Sequence, residues 1–335
     1  MASPRTITVA AAQMGGNQLQ DSRTQILDRM LKLMDQAAEA GVRLLAYLEL
    51  DLTTIFATQY MTDPDQIAQY FVPASPSDPY AVLSTPHARP LVEKANKLGI
   101  DFYLGFEERW TTTGEGDGKT TTTDYNTTIY YSEPLEDPKA FQQMEKRYFT
   151  RMRSHLGDAD LQRPAVAGGM EAIRTTGQYS HRVNPKMYMW RTNPHRLNPQ
   201  GAELVIEGYN TMAWAPQYRG TPVEQQSLAD FHHRLSCQAG SYQNGLWGLH
   251  VAKCGDENGQ RLIGGSMIVD PLGRIVAEAR TADRDELVVA TIDLALCRRP
   301  RDRVFNFEKH RRLEHYGLAG RQVGLEEIPL LGRSI

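Results

Sequence analysis

The chain has 335 residues, of which 41% are hydrophobic, and a net charge of −3. That length and composition allow one large α/β domain, and the near-neutral charge excludes the basic surface typical of nucleic-acid-binding proteins. Apolar runs such as LVVATI at 287–292 are too short to cross a bilayer, and the N-terminal sequence has no apolar signal-peptide core. Three cysteines, an odd and low number, argue against a disulfide scaffold, so we expect a cytoplasmic protein.

In the first part of the chain, strand patterns alternate with helix patterns. Residues 6–13 (TITVAAAQ) predict a buried strand, and helical spacing over 21–40 predicts a helix capped by Asp21 or Ser22. Three further elements follow, namely a buried strand over 42–50 that ends at Glu49, a helix over 88–98 and a strand over 100–109. This alternation is typical of a layered α/β sheet.

The later part of the chain is less uniform. We predict a mobile hairpin loop at about 111–124 and irregular structure at about 150–200, where prolines are scattered and periodicity is absent. Regular patterns return after residue 202 and give way to a C-terminal tail at 319–335. The predicted elements there are strands at 203–209, 248–254, 266–270 and 286–293 and a helix at 224–243.

Several strings occur in order along the chain: AYLELDLTTIF, YNTTI and MEKRYF in the first half, then SCQAGSYQNGLW, FNFEKH and HYGL. Over roughly 6–149 and 201–318 the sequence resembles the N-carbamoyl-D-amino-acid amidohydrolases of the nitrilase (carbon-nitrogen hydrolase) superfamily. The resemblance implies a single domain over 1–335 with an α/β fold, the αββα four-layer sandwich. It also implies a homodimer or homotetramer that needs no cofactor and no metal.

The same resemblance implies hydrolysis of N-carbamoyl-D-amino acids to the D-amino acid, carbon dioxide and ammonia. In that family a cysteine attacks the carbonyl group, and the position of Glu49 is that of the general base. Glu145 resembles the supporting glutamate, and Asn210 and Thr211 resemble residues that line the substrate pocket. Considered as ordinary residues, Glu145 would pair with a neighbouring base on the surface, and Asn210 and Thr211 would form a turn.

The nucleophile and the lysine of the family have no counterpart in this sequence. The connector 132–143 has only Lys139, which follows a proline in an acidic loop and predicts a surface residue. The nucleophile is unknown. Cys237 lies in a predicted helix at a position better explained by packing, and Cys254 and Cys297 lie downstream, where the family has no nucleophile. The adjacent residues His232 and His233 point about 100° apart on a helix, which disfavours a shared metal and predicts a pocket-rim or interface position.

Two explanations of these losses stay open. The chain is either a catalytically inactive pseudoenzyme, acting as a scaffold or ligand-binding protein, or an imperfect gene model of an active enzyme. The absence of periodicity in 150–200 suits the second explanation, because translated non-coding sequence has no reason to show a repeat.

Overall fold

The structure is a computed structural model. It describes residues 5–56, 59, 61–78, 81–114, 118–131, 151–155, 169–172, 203–216 and 218–310. Glu145, Lys139 and the tail at 319–335 lie outside the described residues, so the predictions for them are not tested. Among the described helices, none combines the length and the apolar character that crossing a membrane requires.

The first half of the chain and one late strand form a seven-stranded sheet. Strand β2 lies parallel to both β1 and β4, while the last strand of the sheet runs antiparallel to β1. Along the sheet the order is β14-β1-β2-β4-β5-β6, and β3 pairs with the far half of β4. The strands are β1 (Thr6–Gln13), β2 (Leu44–Ala46), β3 (Val72–Ala74), β4 (Asp101–Thr113), β5 (Thr120–Tyr131), β6 (Arg151–His155) and β14 (Glu286–Asp293).

The second half forms a five-stranded sheet in the order β13-β12-β9-β8-β7. Its central strands β8 and β9 are parallel. These strands are β7 (Gly169–Ala172), β8 (Leu204–Tyr209), β9 (Trp247–Ala252), β12 (Met267–Val269) and β13 (Ile275–Glu278). A separate two-stranded ribbon joins β10 (Cys254–Glu257) to β11 (Gln260–Ile263).

The two sheets pack face to face, and long helices cover their outer faces. Helices α1 (Arg23–Glu39) and α4 (Arg89–Leu98) pack together beside the first sheet, and α5 (Pro222–Asn244) lies on the second. The remaining helices are short: α2 (Pro64–Ala68), α3 (Ala81–Ser84), α6 (Arg298–Arg301) and α7 (Phe307–His310). This arrangement is the predicted αββα four-layer sandwich, so the prediction of fold is confirmed.

Local sequence explains where the long helices begin and end. Ser22 and Thr221 cap α1 and α5, each in a reciprocal capping box with the residue three positions later. Helices α4 and α5 stop at Gly99 and Gly245, which adopt the left-handed conformation that favours glycine. The predicted cap at Ser22 is therefore confirmed, and α4 agrees with the predicted helix at 88–98.

Alternation along the central strands separates two environments. Leu204 and Ile206 of β8 face the first sheet and join the main core, where Leu249 and Val251 of β9 also lie. The intervening side chains of β8 and β9 face α5 instead. This division places one functional candidate on each side of the second sheet, as described below.

Two sequence-based boundaries require correction. Of the predicted strand at 42–50, only Leu44–Ala46 is a strand. The segment 111–124 is not irregular throughout, because Thr111–Thr113 pairs with Thr120–Thr122 and the β4–β5 ladder extends into it. Within 150–200 the structure describes two strands, β6 and β7, and the rest of that interval lies outside the described residues.

Candidate functional site

The candidate site lies at the carboxyl ends of parallel strands from both sheets. Glu49 follows β2, Asn210 directly follows β8, and Lys253 directly follows β9. Side chains at this edge of an α/β sheet converge on a shared crevice, which is where ligands bind in such folds. The site therefore combines residues from the first sheet and from the second sheet that are far apart in the sequence.

Two glycines admit the backbone of Glu49 between the sheets. A Cβ at Gly105 of β4 would lie 2.7 Å from the Glu49 Cα, and a Cβ at Gly208 of β8 would lie 2.9 Å from the Glu49 nitrogen. Neither position can carry a side chain unless the backbone shifts. The next residue, Leu50, has φ of 50°, an uncommon value for a branched side chain that turns the chain sharply away.

The Glu49 carboxyl group is buried and held by two asparagines. Asn126 donates its side-chain N–H to Oε1 at 2.5 Å. The backbone N–H of Asn210 donates to Oε2 at 3.3 Å, and its side-chain amide donates to the Glu49 carbonyl oxygen at 3.0 Å. The structure thus brings Glu49 and Asn210 into direct contact, as the sequence led us to expect.

Three buried carboxyl groups near this point have raised pKa values. Burial raises the pKa of Glu49 to about 8, the hydrogen bonds from Asn126 and Asn210 oppose this, and nearby Glu107 adds to it. Burial likewise raises the pKa of Glu107 to about 7 and that of Asp51 to about 7. Groups that titrate near neutral pH suit proton transfer.

Two oxygens of these acids have no hydrogen-bond partner among the described residues. They are Oε2 of Glu107 and Oδ1 of Asp51, both fully buried. The other oxygen of Glu107 accepts from the Thr53 hydroxyl at 2.5 Å. Glu107 also lies opposite Asn126 in the β4–β5 register, so both side chains approach Glu49 from one face of the first sheet.

A fully buried ion pair borders the acids. Lys253 Nζ lies 2.9 Å from Glu257 Oε2 and donates to the Thr53 carbonyl oxygen at 3.3 Å. Glu257 also accepts from the Asn17 backbone N–H and the Thr54 hydroxyl, each at 2.8 Å, and from the Ile55 backbone N–H. This pair joins the end of β9 and the ribbon to the loop that follows Glu49.

The three cysteines of the sequence are all described, and all are buried away from Glu49. Cys254 and Cys297 donate their S–H groups to the carbonyl oxygens of Arg284 and Glu203, each at 3.3 Å. Burial raises the pKa of Cys254 to about 12 and that of Cys297 to about 11, which disfavours the reactive thiolate. Cys237 is buried on the inner face of α5, with its sulfur 3.5 Å from His233 Nδ1.

The remaining predicted positions have different outcomes. Thr211 is half-buried, and its carbonyl oxygen accepts from the Ile263 N–H at 3.0 Å, which makes it part of the backbone near the site. The predicted rim position of His233 is wrong, because His233 is buried on the inner face of α5 and bonds the Gly265 carbonyl oxygen at 2.9 Å. His232 is exposed.

Sequence reasoning missed Asp51, Glu107, Asn126 and Lys253. Each was visible as a polar or charged residue within or next to a strand pattern, yet strand alternation alone does not distinguish a solvated face from one that meets a second sheet. The register of β4 with β5, which the sequence does not specify, is what brings Glu107 opposite Asn126.

Comparison with known proteins agrees with this architecture. Residues 188–302 match the family described as carbon-nitrogen hydrolase. A carbon-nitrogen hydrolase from Helicobacter pylori G27 is similar at 16% identity and a TM-score of 0.63, covering 96% of this chain and 100% of that chain. Nit3 from Saccharomyces cerevisiae, a member of branch 10 of the nitrilase superfamily, is similar at 18% identity and a TM-score of 0.59, covering 92% of this chain and 97% of that chain. The fold is that of the nitrilase superfamily.

An amidase from Nesterenkonia sp. AN1 is also similar, at 16% identity and a TM-score of 0.50, covering 90% of this chain and 96% of that chain. The compared structure is a glutamate-to-glutamine mutant with the acetamide moiety of fluoroacetamide added covalently at its active-site cysteine. In this nitrilase-type fold, the segment that matches the carbon-nitrogen hydrolase family supplies Asn210 and Lys253, whereas Glu49 comes from the first half of the chain.

Proposed function

We propose that this carbon-nitrogen hydrolase-like chain binds small N-carbamoyl amino acids or related carboxamides at Glu49 and does not hydrolyse them through a thiol. One observation carries the proposal: a buried carboxyl group with a raised pKa lies among amide side chains, while every cysteine of the sequence is buried elsewhere. These features favour binding of an amide at Glu49 and disfavour its hydrolysis by a cysteine.

The hydrogen-bonding groups of the site suit an amide ligand. Because its pKa is about 8, Glu49 is largely protonated at neutral pH, and a protonated carboxyl both donates and accepts a hydrogen bond. An amide presents the complementary pair, a carbonyl oxygen and an N–H. An N-carbamoyl group carries additional N–H donors, which match the acceptor oxygens left without partners on Glu107 and Asp51.

Hydrolysis by a thiol requires a thiolate beside its general base. In the Nesterenkonia amidase the covalent adduct forms on an active-site cysteine. Here the sulfurs of Cys254 and Cys297 contact backbone carbonyl oxygens and have raised pKa values, and Cys237 lies on the other face of the second sheet. Loss of the nucleophile lowered the rate by roughly a million-fold in a protease, so we expect negligible turnover here.

The proposal is tested by measuring binding and hydrolysis on one preparation of the full chain. Isothermal titration with N-carbamoyl-D-alanine should show saturable binding that Glu49→Gln weakens, and ammonia release should stay at the buffer rate. Cys237→Ala, Cys254→Ala and Cys297→Ala serve as controls. Absence of binding, or turnover abolished by one of the three cysteine changes, would contradict the proposal.

A second candidate is an active hydrolase of N-carbamoyl-D-amino acids. The observation in its favour is the carbon-nitrogen hydrolase match over 188–302, together with a buried Glu49 beside Asn210. Sequencing the transcript across codons 132–200 separates the two functions. A recovered lysine-bearing strand and cysteine turn would favour the hydrolase, whereas an unaltered transcript favours the binding protein.

The proposal of a homodimer or homotetramer draws support from α5. Its outer face exposes apolar side chains that a monomer leaves in water. These are Val223, Leu228, Phe231 and Leu235. Light scattering of the purified chain tests this proposal, and the cytoplasmic location stays a prediction.

A further inference from the structure

A buried polar layer lies between α5 and the outer face of the second sheet. Helix α5 carries His233, Cys237 and Ser241 at four-residue spacing, and all three are buried. Glu207 of β8 and His250 of β9 are direct partners in the parallel register, so their side chains share one face. That face is opposite the one where Gly208 meets Glu49, because successive strand residues alternate.

Three metal-ligating side chains meet in this layer. A carboxylate oxygen of Glu207, the Cys237 sulfur and a ring nitrogen of His250 all lie within 4.8 Å of one another. His250 Nδ1 is 2.9 Å from Glu207 Oε2. These residues are 0% to 1% exposed, in a helix–sheet interface where Met267 and Val269 form the apolar neighbours.

Two oxygens in this layer have no hydrogen-bond partner among the described residues. They are Oε1 of Glu207 and Oγ of Ser241. A native structure seldom leaves buried polar atoms without partners, so such atoms call for an explanation. Gly248 keeps the space beside His250 and Ser241 open, since a Cβ there would lie 2.3 Å from His250 Nε2 and 2.6 Å from Ser241 Oγ.

We propose that Glu207, Cys237 and His250 bind a divalent transition-metal ion of the zinc class, with Ser241 or water as the fourth donor. A thiolate, a carboxylate and a neutral imidazole together carry two negative charges, which a divalent ion neutralises within a buried site. The thiolate and imidazole select zinc-like ions over Mg²⁺ and Ca²⁺, which prefer oxygen ligands.

The spacing of the donors suits such an ion with small adjustments. Tetrahedral zinc, with bonds of roughly 2.0 to 2.3 Å, holds its ligand atoms roughly 3.3 to 3.8 Å apart. The three donors already lie within 4.8 Å of one another, and the 2.9 Å contact of His250 with Glu207 opens only slightly. Bound metal would attach α5 to both central strands of the sheet.

The first experiment isolates the thiol. Because the sequence has three cysteines, the double variant Cys254→Ser/Cys297→Ser leaves Cys237 as the single thiol. Titration of this full-length variant with Co²⁺ should give one equivalent of bound metal and a thiolate-to-cobalt charge-transfer band. No such band, or no bound Co²⁺, would overturn the proposal.

The second experiment identifies the other ligands. In competition titrations with Zn²⁺, Glu207→Gln and His250→Asn should each weaken binding by at least about 100-fold, more than is typical of outer-shell changes. His232→Asn, on the exposed side of the same helix, is the matched control and should bind as the wild type does. Equal affinity in the wild type and the two ligand variants would show that any bound metal lies elsewhere and would also overturn the proposal.

Discussion

Two buried glutamates at the junction of the sheets have opposite surroundings. Glu257 is paired with Lys253 and accepts further hydrogen bonds from Asn17, Thr54 and Ile55. Among the described residues, Glu49 has no cation as a hydrogen-bond partner and is held by Asn126 and Asn210. Both are 3% exposed or less, so the difference comes from their partners rather than from depth.

The comparison distinguishes a glutamate that stabilises the fold, Glu257, from one suited to proton transfer, Glu49. A buried carboxylate surrounded by a cation and backbone N–H groups is compensated, and its removal mainly affects stability. A buried carboxyl that meets only neutral amides has its pKa raised, so it exchanges a proton near neutral pH. Four substitutions test this distinction, beginning with the largest expected effect.

Lys253→Met should lower the free energy of unfolding by about 3 to 5 kcal/mol, because it leaves Glu257 buried without its cation. Chemical denaturation measures the change. The double variant Lys253→Met/Glu257→Gln should recover part of the loss, since it removes the uncompensated charge. A double variant no more stable than the single one would show that the pair does not act as an anchor.

Glu49→Gln should change the pH dependence of stability. The folded state keeps the Glu49 proton up to about pH 8, whereas the unfolded chain loses it near the ordinary value of 4.5. The stabilisation linked to this proton is therefore complete below about pH 4.5 and lost as the pH rises through 8. Relative to the wild type, the variant should gain roughly 2 to 4 kcal/mol between about pH 5 and pH 8.

Denaturation at several pH values checks this trend. Glu39→Gln, at an exposed position in the last turn of α1, is the matched control and should leave the slope unchanged. Asp51 and Glu107 have pKa values raised in the same direction, so part of the slope should persist in the Glu49 variant. Parallel curves for the wild type and Glu49→Gln would argue against a protonated Glu49.

Gly208→Ala should cost about 1 to 3 kcal/mol, because the added methyl group meets the Leu48–Glu49 backbone at 2.9 to 3.0 Å. It should also weaken binding of N-carbamoyl ligands, since the displaced atoms position Glu49. Gly15→Ala is a milder comparison, because its nearest neighbour, the Arg29 guanidinium, lies 3.3 Å away. Equal costs for the two changes would argue against close packing around Glu49.

Asp124→Asn should have the smallest effect, about 0.2 to 1 kcal/mol. Arg109 makes two hydrogen bonds of 2.7 Å to Asp124 across the β4–β5 hairpin, but both side chains are about one-quarter exposed. The Arg109 guanidinium also lies over the Phe71 ring, a contact that the change preserves. A loss as large as that of Lys253→Met would mean that burial is not what distinguishes the two ion pairs.

The sequence predicted the structure well where interactions between residues close in the chain determine it. The cap of α1 at Ser22, the helix at 88–98, the strand at 286–293 and the contact of Glu49 with Asn210 follow from patterns and from the family resemblance. It was not informative where distant segments meet. Lys253 lies near the end of a predicted strand, and only the fold places it beside Glu257 and the loop after β2.

The cluster of Glu207, Cys237 and His250 between α5 and the second sheet illustrates the same limit. Cys237 was predicted to pack, which its burial confirms, yet its neighbours Glu207 and His250 are far from it in sequence. No local spacing motif connects a helix residue to two adjacent parallel strands. The sequence-based expectation of no metal considered adjacent histidines and had no means of finding this group.

The passage of the Leu48–Glu49 backbone between Gly105 and Gly208 has a consequence for folding. Asn126 and Glu107 of the first sheet and Asn210 at the end of β8 lie around the Glu49 carboxyl, so its surroundings are complete only where the two sheets meet. The protonation state of Glu49 is then a property of the closed sandwich and not of β2 or its loop. We therefore expect net proton uptake when the unfolded chain refolds at about pH 7, with Asp51 and Glu107 contributing beside Glu49.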